Sequence, residues 1–235
     1  MLFFIIFVLS ITQSIFGIGL LIIGTPLLLL LNLDFIKILS ILLPCSILIS
    51  FSQIIFSNFS INSSQKKLVY LSIPFIIAGI IVLHFLVTKI DFKLFVGLSI
   101  LSIYFLKFII VKKFLKEFFM KYKKITIIFI GFFHGLTNVG GTLLSLFFQK
   151  INTNNKNKIQ ASISYAYFFF ALAQYLSIQI FFENIYLNTE NLYLLFASIL
   201  GFFLGKKIFL KIKDDLFIKI LNLLILTSAL ILIFS

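Results

Sequence analysis

The sequence predicts an all-α, polytopic membrane protein of about eight transmembrane helices in two repeated halves, with the first helix of each half broken. Three observations predict this. First, 61% of the 235 residues are hydrophobic and 11% are charged, whereas a soluble domain carries about 25% charged residues. Second, long apolar runs recur along the chain, separated by Lys- or Asn-bearing breaks. Third, glycines interrupt two of these runs, and "HGLTNVGGTLLS" (134–145) adds His134, Thr137 and Asn138 to an otherwise apolar stretch. Such an interruption is costly in lipid, and is tolerated where the backbone is buried in protein or lines a cavity.

The runs fall at 2–31, 35–57, 68–88, 92–111, 125–148, 159–182, 192–205 and 216–234. The first is too long for one straight span: as a helix it would reach about 45 Å against a hydrocarbon core of about 30 Å. It contains Gly17, Gly19, Gly24 and Pro26, so a break is expected. Its start is apolar from Leu2, without a charged leader or an Ala-x-Ala site, and reads as a first span rather than a cleaved signal. The run 192–205 is short, and Lys206–Lys207 extend it as a snorkelling end.

The formal net charge is +13, and all 20 basic residues are lysine. These lysines lie between apolar runs, so the partner they imply is an anionic headgroup surface, not nucleic acid. The 33 Phe are lipid-facing or packing residues in a compositionally biased chain. The single cysteine, Cys45, lies in an apolar run and reads as a buried, inert thiol. The seven acids are Asp34, Asp91, Glu117, Glu183, Glu190, Asp214 and Asp215, all at loops or span ends. A carboxylate proton relay is therefore not supported. There is no Ser/His/Asp set, metal-ligand spacing or phosphate loop, so the sequence predicts neither an enzyme nor a cofactor or metal site.

An internal repeat organises the chain. At an offset of 121 residues, "QSIFGIG" (13–19) lies over "HGLTNVG" (134–140), and "KILS" (37–40) over "KIQA" (158–161). At an offset of 122, "KIDFKLFV" (89–96) lies over "KIKDDLFI" (211–218). The halves are 1–111 and 125–235, and the linker 112–124 carries six lysines. Interrupted segments at matching positions of two halves point to a midplane site in a transporter. The N-terminal end of a half-helix favours an anion. Lysines number ten in one set of loops and eight in the other, which leaves the orientation open. Four full spans per half would make the halves parallel, whereas one re-entrant segment in each would allow inversion.

The glycine pattern resembles that of the TauE/SafE family of sulfite and organosulfonate exporters. In "GFFHGLTNVGG" (131–141), Gly131, Gly135, Gly140 and Gly141 match the family motif, and Asn138 stands where a glycine is usual. In "SIFGIGLLIIGTP" (14–26), Gly17, Gly19 and Pro26 match, and Leu20 replaces a common glycine. "GFFLGKKIFLKI" (201–212) is similar to the family's closing segment. The resemblance covers nearly the whole chain. It implies a permease, in a bacterial inner membrane, that moves a small anion such as sulfite, a sulfonate or a small carboxylate.

Candidate substrate-binding residues follow. His134, Asn138 and Gly141 share one helical face, with Thr137, Gly140 and Thr142 beside them. Gln13, Gly17 and Gly19 are their counterparts in the first half. Pro44 frees the Ser40 carbonyl, so Ser40 and Pro44 are a second candidate contact. Gly131 with Gly135, and Gly201 with Gly205, read as close helix packing. Gln53, Gln174 and Gln179 read as packing contacts. The alternative to a permease is a non-transporting membrane scaffold, in which the polar cluster only joins helices.

Overall fold

The computed structural model describes residues 1–57, 60–91, 94–99, 117–119, 121–138, 140–152, 155–182 and 192–233. The described residues contain helices and no strands: α1 (Leu2–Phe16), α2 (Leu20–Leu30), α3 (Phe35–Ile55), α4 (Ser63–Leu86), α5 (Lys123–Thr137), α6 (Gly140–Ile151), α7 (Lys156–Phe181), α8 (Leu192–Lys211) and α9 (Asp214–Ile233). Residues 94–99 are also helical, while most of the expected span 92–111 and of the linker lies outside the described residues.

Polarity is distributed as a bilayer requires. Phe4, Phe85, Ile125 and Ile180 are more than 60% exposed, whereas Gln13, Ser46, His134, Asn138 and Gln174 have no exposed surface. Lipid solvates the apolar outside, so polar side chains turn inward to find partners. Among the described residues, four helices are long and apolar enough to cross a membrane: α3, α4, α7 and α8.

The expected spans 2–31 and 125–148 are not single broken helices; each is a helical hairpin. α1 and α2 have 15 and 11 residues, and α5 and α6 have 15 and 12. At 1.5 Å per residue the longest of these reaches about 22 Å, short of the hydrocarbon core. Within the first hairpin the chain doubles back. A β-carbon added at Gly24 would stand 3.0 Å from Leu9 Cδ1, and these two residues flank the break almost equally. In the second, a β-carbon on Gly140 would stand 2.5 Å from His134 Cβ and 2.7 Å from the Ile130 carbonyl. A continuous helix would hold these residues much farther apart.

The first break is narrower than the stretch from Gly17 to Pro26 that the glycines and proline marked, and the second is as short. Only Gly17–Gly19 and Asn138 leave helical geometry; Val139 is outside the described residues. Pro26 sits inside α2, and Pro44 and Pro74 sit inside α3 and α4. A proline removes one hydrogen bond, which membrane helices absorb.

Small residues set the helix pairs. In α8, β-carbons on Gly201 and Gly205 would stand 2.6 Å and 2.5 Å from Ser10 Cβ and Ser14 Cβ of α1. In α5, Gly131 lies against Ser72 of α4, and Gly135 against the Ile76 carbonyl. Numbering rises together in both pairs, so α1 runs parallel to α8, and α5 to α4. α3 and α7 pack through Phe51 and Phe168, with ring centroids 5.6 Å apart. Ser57 after α3, Asn157 at the start of α7 and Lys206 near the end of α8 meet around one cavity at one end of the bundle. From these directions, α1–α2 enters from the opposite end and returns there. α5–α6 enters from the cavity end and returns there. The hairpins face each other from opposite sides.

Candidate functional site

Each hairpin turns on a left-handed residue. Gly17 has φ 75°, and its N–H donates to the Gln13 carbonyl at 2.7 Å. Asn138 has φ 62°, and its N–H donates to the His134 carbonyl at 2.9 Å. Glycine fits this conformation without strain, and asparagine is among the few other residues that adopt it readily. Because α5 ends at Thr137, Gly141 belongs to the next helix. The single helical face expected for His134, Asn138 and Gly141 therefore does not exist; the turn brings them together instead.

The first tip is densely hydrogen-bonded. Gln13 Nε2 donates to the Ser46 carbonyl, Ser46 Oγ and Ser50 Oγ at 3.1, 2.9 and 3.1 Å, and Ser46 Oγ donates to Gln13 Oε1 at 3.3 Å. The last carbonyls of α1 are held from both sides. Gln53 Nε2 donates to those of Gln13 and Ser14 at 3.0 and 2.9 Å, and Gln160 Nε2 to those of Ser14 and Ile15 at 2.7 and 2.9 Å. A β-carbon on Gly17 would stand 3.0 Å from Ile163 of α7, and one on Gly19 would stand 2.9 Å from the Gln13 nitrogen.

The second tip has the same frame with fewer bonds. Gln174 Nε2 donates to the His134 carbonyl at 3.3 Å, and Asn138 Nδ2 donates to Thr25 Oγ1 of α2 at 2.7 Å. Thr137 spends its hydroxyl on the Phe133 carbonyl, and Thr142 is buried at the start of α6. Tyr167 is fully buried, and its hydroxyl lies directly over Gly141, where any β-carbon would overlap it. The His134 ring sits between Tyr167 and Phe170, at centroid distances of 5.6 and 5.2 Å.

Five buried atoms here have no hydrogen-bond partner among the described residues: His134 Nδ1 and Nε2, Asn138 Oδ1, Tyr167 Oη and Gln174 Oε1. They gather where α6 starts, and the first N–H groups of a helix have no partner within it. A cluster of bare buried polar atoms is rare in a folded interior, because each costs about 1–3 kcal/mol. At the first tip Gln53 Oε1 is bare too. Gln53 stands in the wall of the bundle-end cavity, which measures about 190 Å³ and is lined also by Ser14, Gln160 and Lys206. Lys206 Nζ rests 4.1 Å above the Phe56 ring there.

Ser40 and Pro44 lie apart from this cluster. Ser40 Oγ donates to the Lys37 carbonyl at 2.7 Å, within its own helix. Pro44 lines an apolar groove with Phe51, Phe168 and Leu176.

A family model described as sulfite exporter TauE/SafE matches residues 2–232. The chain belongs to that family. TauE/SafE proteins are membrane transporters, which makes this an integral membrane protein of a transporter family. No curated protein and no solved structure matches the chain.

Three residues at the two hairpin tips do more than the sequence reading gave them. Gln53 and Gln174 are 121 residues apart, and they donate to the carbonyls of Gln13 and His134, also 121 apart. They are not mere packing contacts, and the repeat offset was the signal for them. Tyr167 lies in the aromatic run Tyr165–Phe170, where composition hides it.

Proposed function

We propose that this chain is a permease for a small oxyanion such as sulfite, a sulfonate or a small carboxylate, and that it binds its substrate at the tip of the second hairpin. One observation carries this reading. Equivalent tips differ in saturation: at the first, Gln13 is fully engaged and Gln53 Oε1 is bare, whereas at the second His134, Asn138, Tyr167 and Gln174 together keep five bare polar atoms. A scaffold would gain nothing by leaving these atoms bare. An anion there meets a positive dipole end and hydroxyl, amide and imidazole groups without a buried cation. Binding by hydrogen bonds alone is weak enough to permit release.

The two halves form an inverted repeat, 1–111 and 125–235, joined by the lysine-rich linker. The matched turns, the matched glutamines and the exchanged pairs α1–α8 and α5–α4 support this. Such a repeat provides two related arrangements, one open to each side, which is the basis of alternating access. The cavity at Lys206 is the approach from one side, in a plasma membrane of bacterial type.

The test is sulfite flux into proteoliposomes. Tyr167→Phe removes one oxygen and leaves the ring in place; it should lower flux at least about tenfold, the value of one charge-assisted hydrogen bond of about 1.5 kcal/mol. Unchanged flux in a folded Tyr167→Phe protein would refute the site, and no flux in the parent protein would refute the function.

A further inference from the structure

The bare atoms at the second tip also specify the protonation state of what binds them. Gln174 has one possible orientation: its Nε2 faces the His134 carbonyl, which can only accept, so Oε1 is left as a bare acceptor. Asn138 gives its Nδ2 to Thr25, and its Oδ1 is left as a second bare acceptor. The His134 imidazole adds one N–H donor and one bare nitrogen in either tautomer. Tyr167 adds an O–H, and the start of α6 adds backbone N–H groups.

The site therefore presents donors on the α6 side and acceptors on the His134–Gln174 side. A fully deprotonated oxyanion only accepts. It would satisfy the donors and leave the acceptor lone pairs facing its negative charge.

We infer that, within the permease reading above, the site takes the oxyanion in its monoprotonated form, a hydrogen-oxyanion that both donates and accepts hydrogen bonds, and thereby carries one proton with each substrate. The substrate O–H donates to an acceptor of the His134–Gln174 side. Its remaining oxygens accept from Tyr167 and the α6 N–H groups. No bond to the central atom is made or broken; the proton crosses attached to the substrate and dissociates on the far side. This moves a proton through a chain whose seven acids all lie at loops or span ends.

Among the described residues, the groups around the site supply no competing titration from a carboxylate. α2 brings Thr25, α4 brings Ser72 and Ile76 against α5, α6 brings Gly140 to Thr142, and α7 brings Tyr167, Phe170 and Gln174. Titratable groups among these and on the facing side of α5 are His134 and Tyr167. Tyr165 on α7 pairs instead with Tyr70 of α4 at 2.8 Å.

The experiment uses the full chain in liposomes holding a lumenal pH indicator, with protein-free liposomes as the baseline. The probes are radiolabelled sulfite and methanesulfonate, a monoanion that has no O–H to donate. With the lumen buffered well above the pKa of hydrogen sulfite, sulfite entry above baseline should release about one proton per sulfite into it. Its initial rate should fall about tenfold per pH unit once sulfite becomes the dianion, in step with the monoprotonated fraction. Methanesulfonate should enter at least about tenfold more slowly. Sulfite flux without lumenal acidification, or methanesulfonate flux equal to that of sulfite, overturns the protonated-substrate inference and leaves the permease reading standing. Absence of flux for both probes overturns the permease reading itself.

Discussion

Gln53 and Gln174 are equivalent residues with unequal work, so replacing each with leucine separates structure from transport. Gln53 Nε2 makes two bonds of 3.0 and 2.9 Å to the end of α1, whereas Gln174 Nε2 makes one of 3.3 Å to the end of α5. Interhelical hydrogen bonds in membranes average about 0.6 kcal/mol and reach about 1.7. Gln53→Leu should then cost roughly 1–3 kcal/mol of stability, and Gln174→Leu no more than about 0.6. Transport should rank the other way. Gln174→Leu removes a bare acceptor beside the proposed substrate and should cut sulfite flux about tenfold or more. The remaining Gln53→Leu protein, once folded, should transport at near the parent rate. Unfolding in mixed detergent measures the first ranking, and flux per folded molecule measures the second. If Gln174→Leu costs as much stability as Gln53→Leu and transports normally, the second tip is a structural joint and the argument from bare atoms fails.

Two further outcomes follow from the packing and the charge. Gly135→Val places a branched side chain against the Ile76 carbonyl of α4 and should destabilise the α4–α5 pair by about 1–3 kcal/mol, seen as loss of the monodisperse peak after detergent extraction. Lys206→Ala should slow initial sulfite entry several-fold at low ionic strength, and the difference should vanish in high salt, because the half-buried ammonium at the cavity acts by attracting the anion rather than by binding it.

The sequence contained the membrane class and the location of both turns. Excess length marked 2–31, and the offset of 121 pairs Gln13 with His134 and Gly17 with Asn138, which occupy matching places in the two hairpins. The reversal of direction was not legible there. A glycine permits a turn but does not set its angle; contacts such as Leu9 with Gly24 do, and they join residues on separate helices. The prolines misled in the opposite sense, because Pro26 and Pro44 disturb single hydrogen bonds inside helices that their neighbours hold in place. Tyr167 was hidden because its hydroxyl matters only through its place over Gly141, which no spacing in the chain reveals.

The departures from internal symmetry give the two matching hairpins different chemistry at their tips. Each tip joins the C-terminal end of one half-helix to the N-terminal end of the next, so each offers carbonyls and N–H groups at the same depth. In the first tip glutamines hold the carbonyls, and α2 begins with Leu20, Leu21 and Ile22, all buried. In the second tip α6 begins with Gly140 and Gly141, which pack against the His134 β-carbon and the Tyr167 hydroxyl. Leu20 stands where the family commonly has a glycine, and the glycine pair at 140–141 is retained. Under the permease proposed above, that difference is what assigns the substrate to the second tip. The first hairpin keeps a structural part in the same machinery: its α2 supplies Thr25, whose hydroxyl fixes Asn138 at the opposing tip. Under the alternating access proposed above, movement of one hairpin against the other would break that contact and so link the second tip to the opposing half.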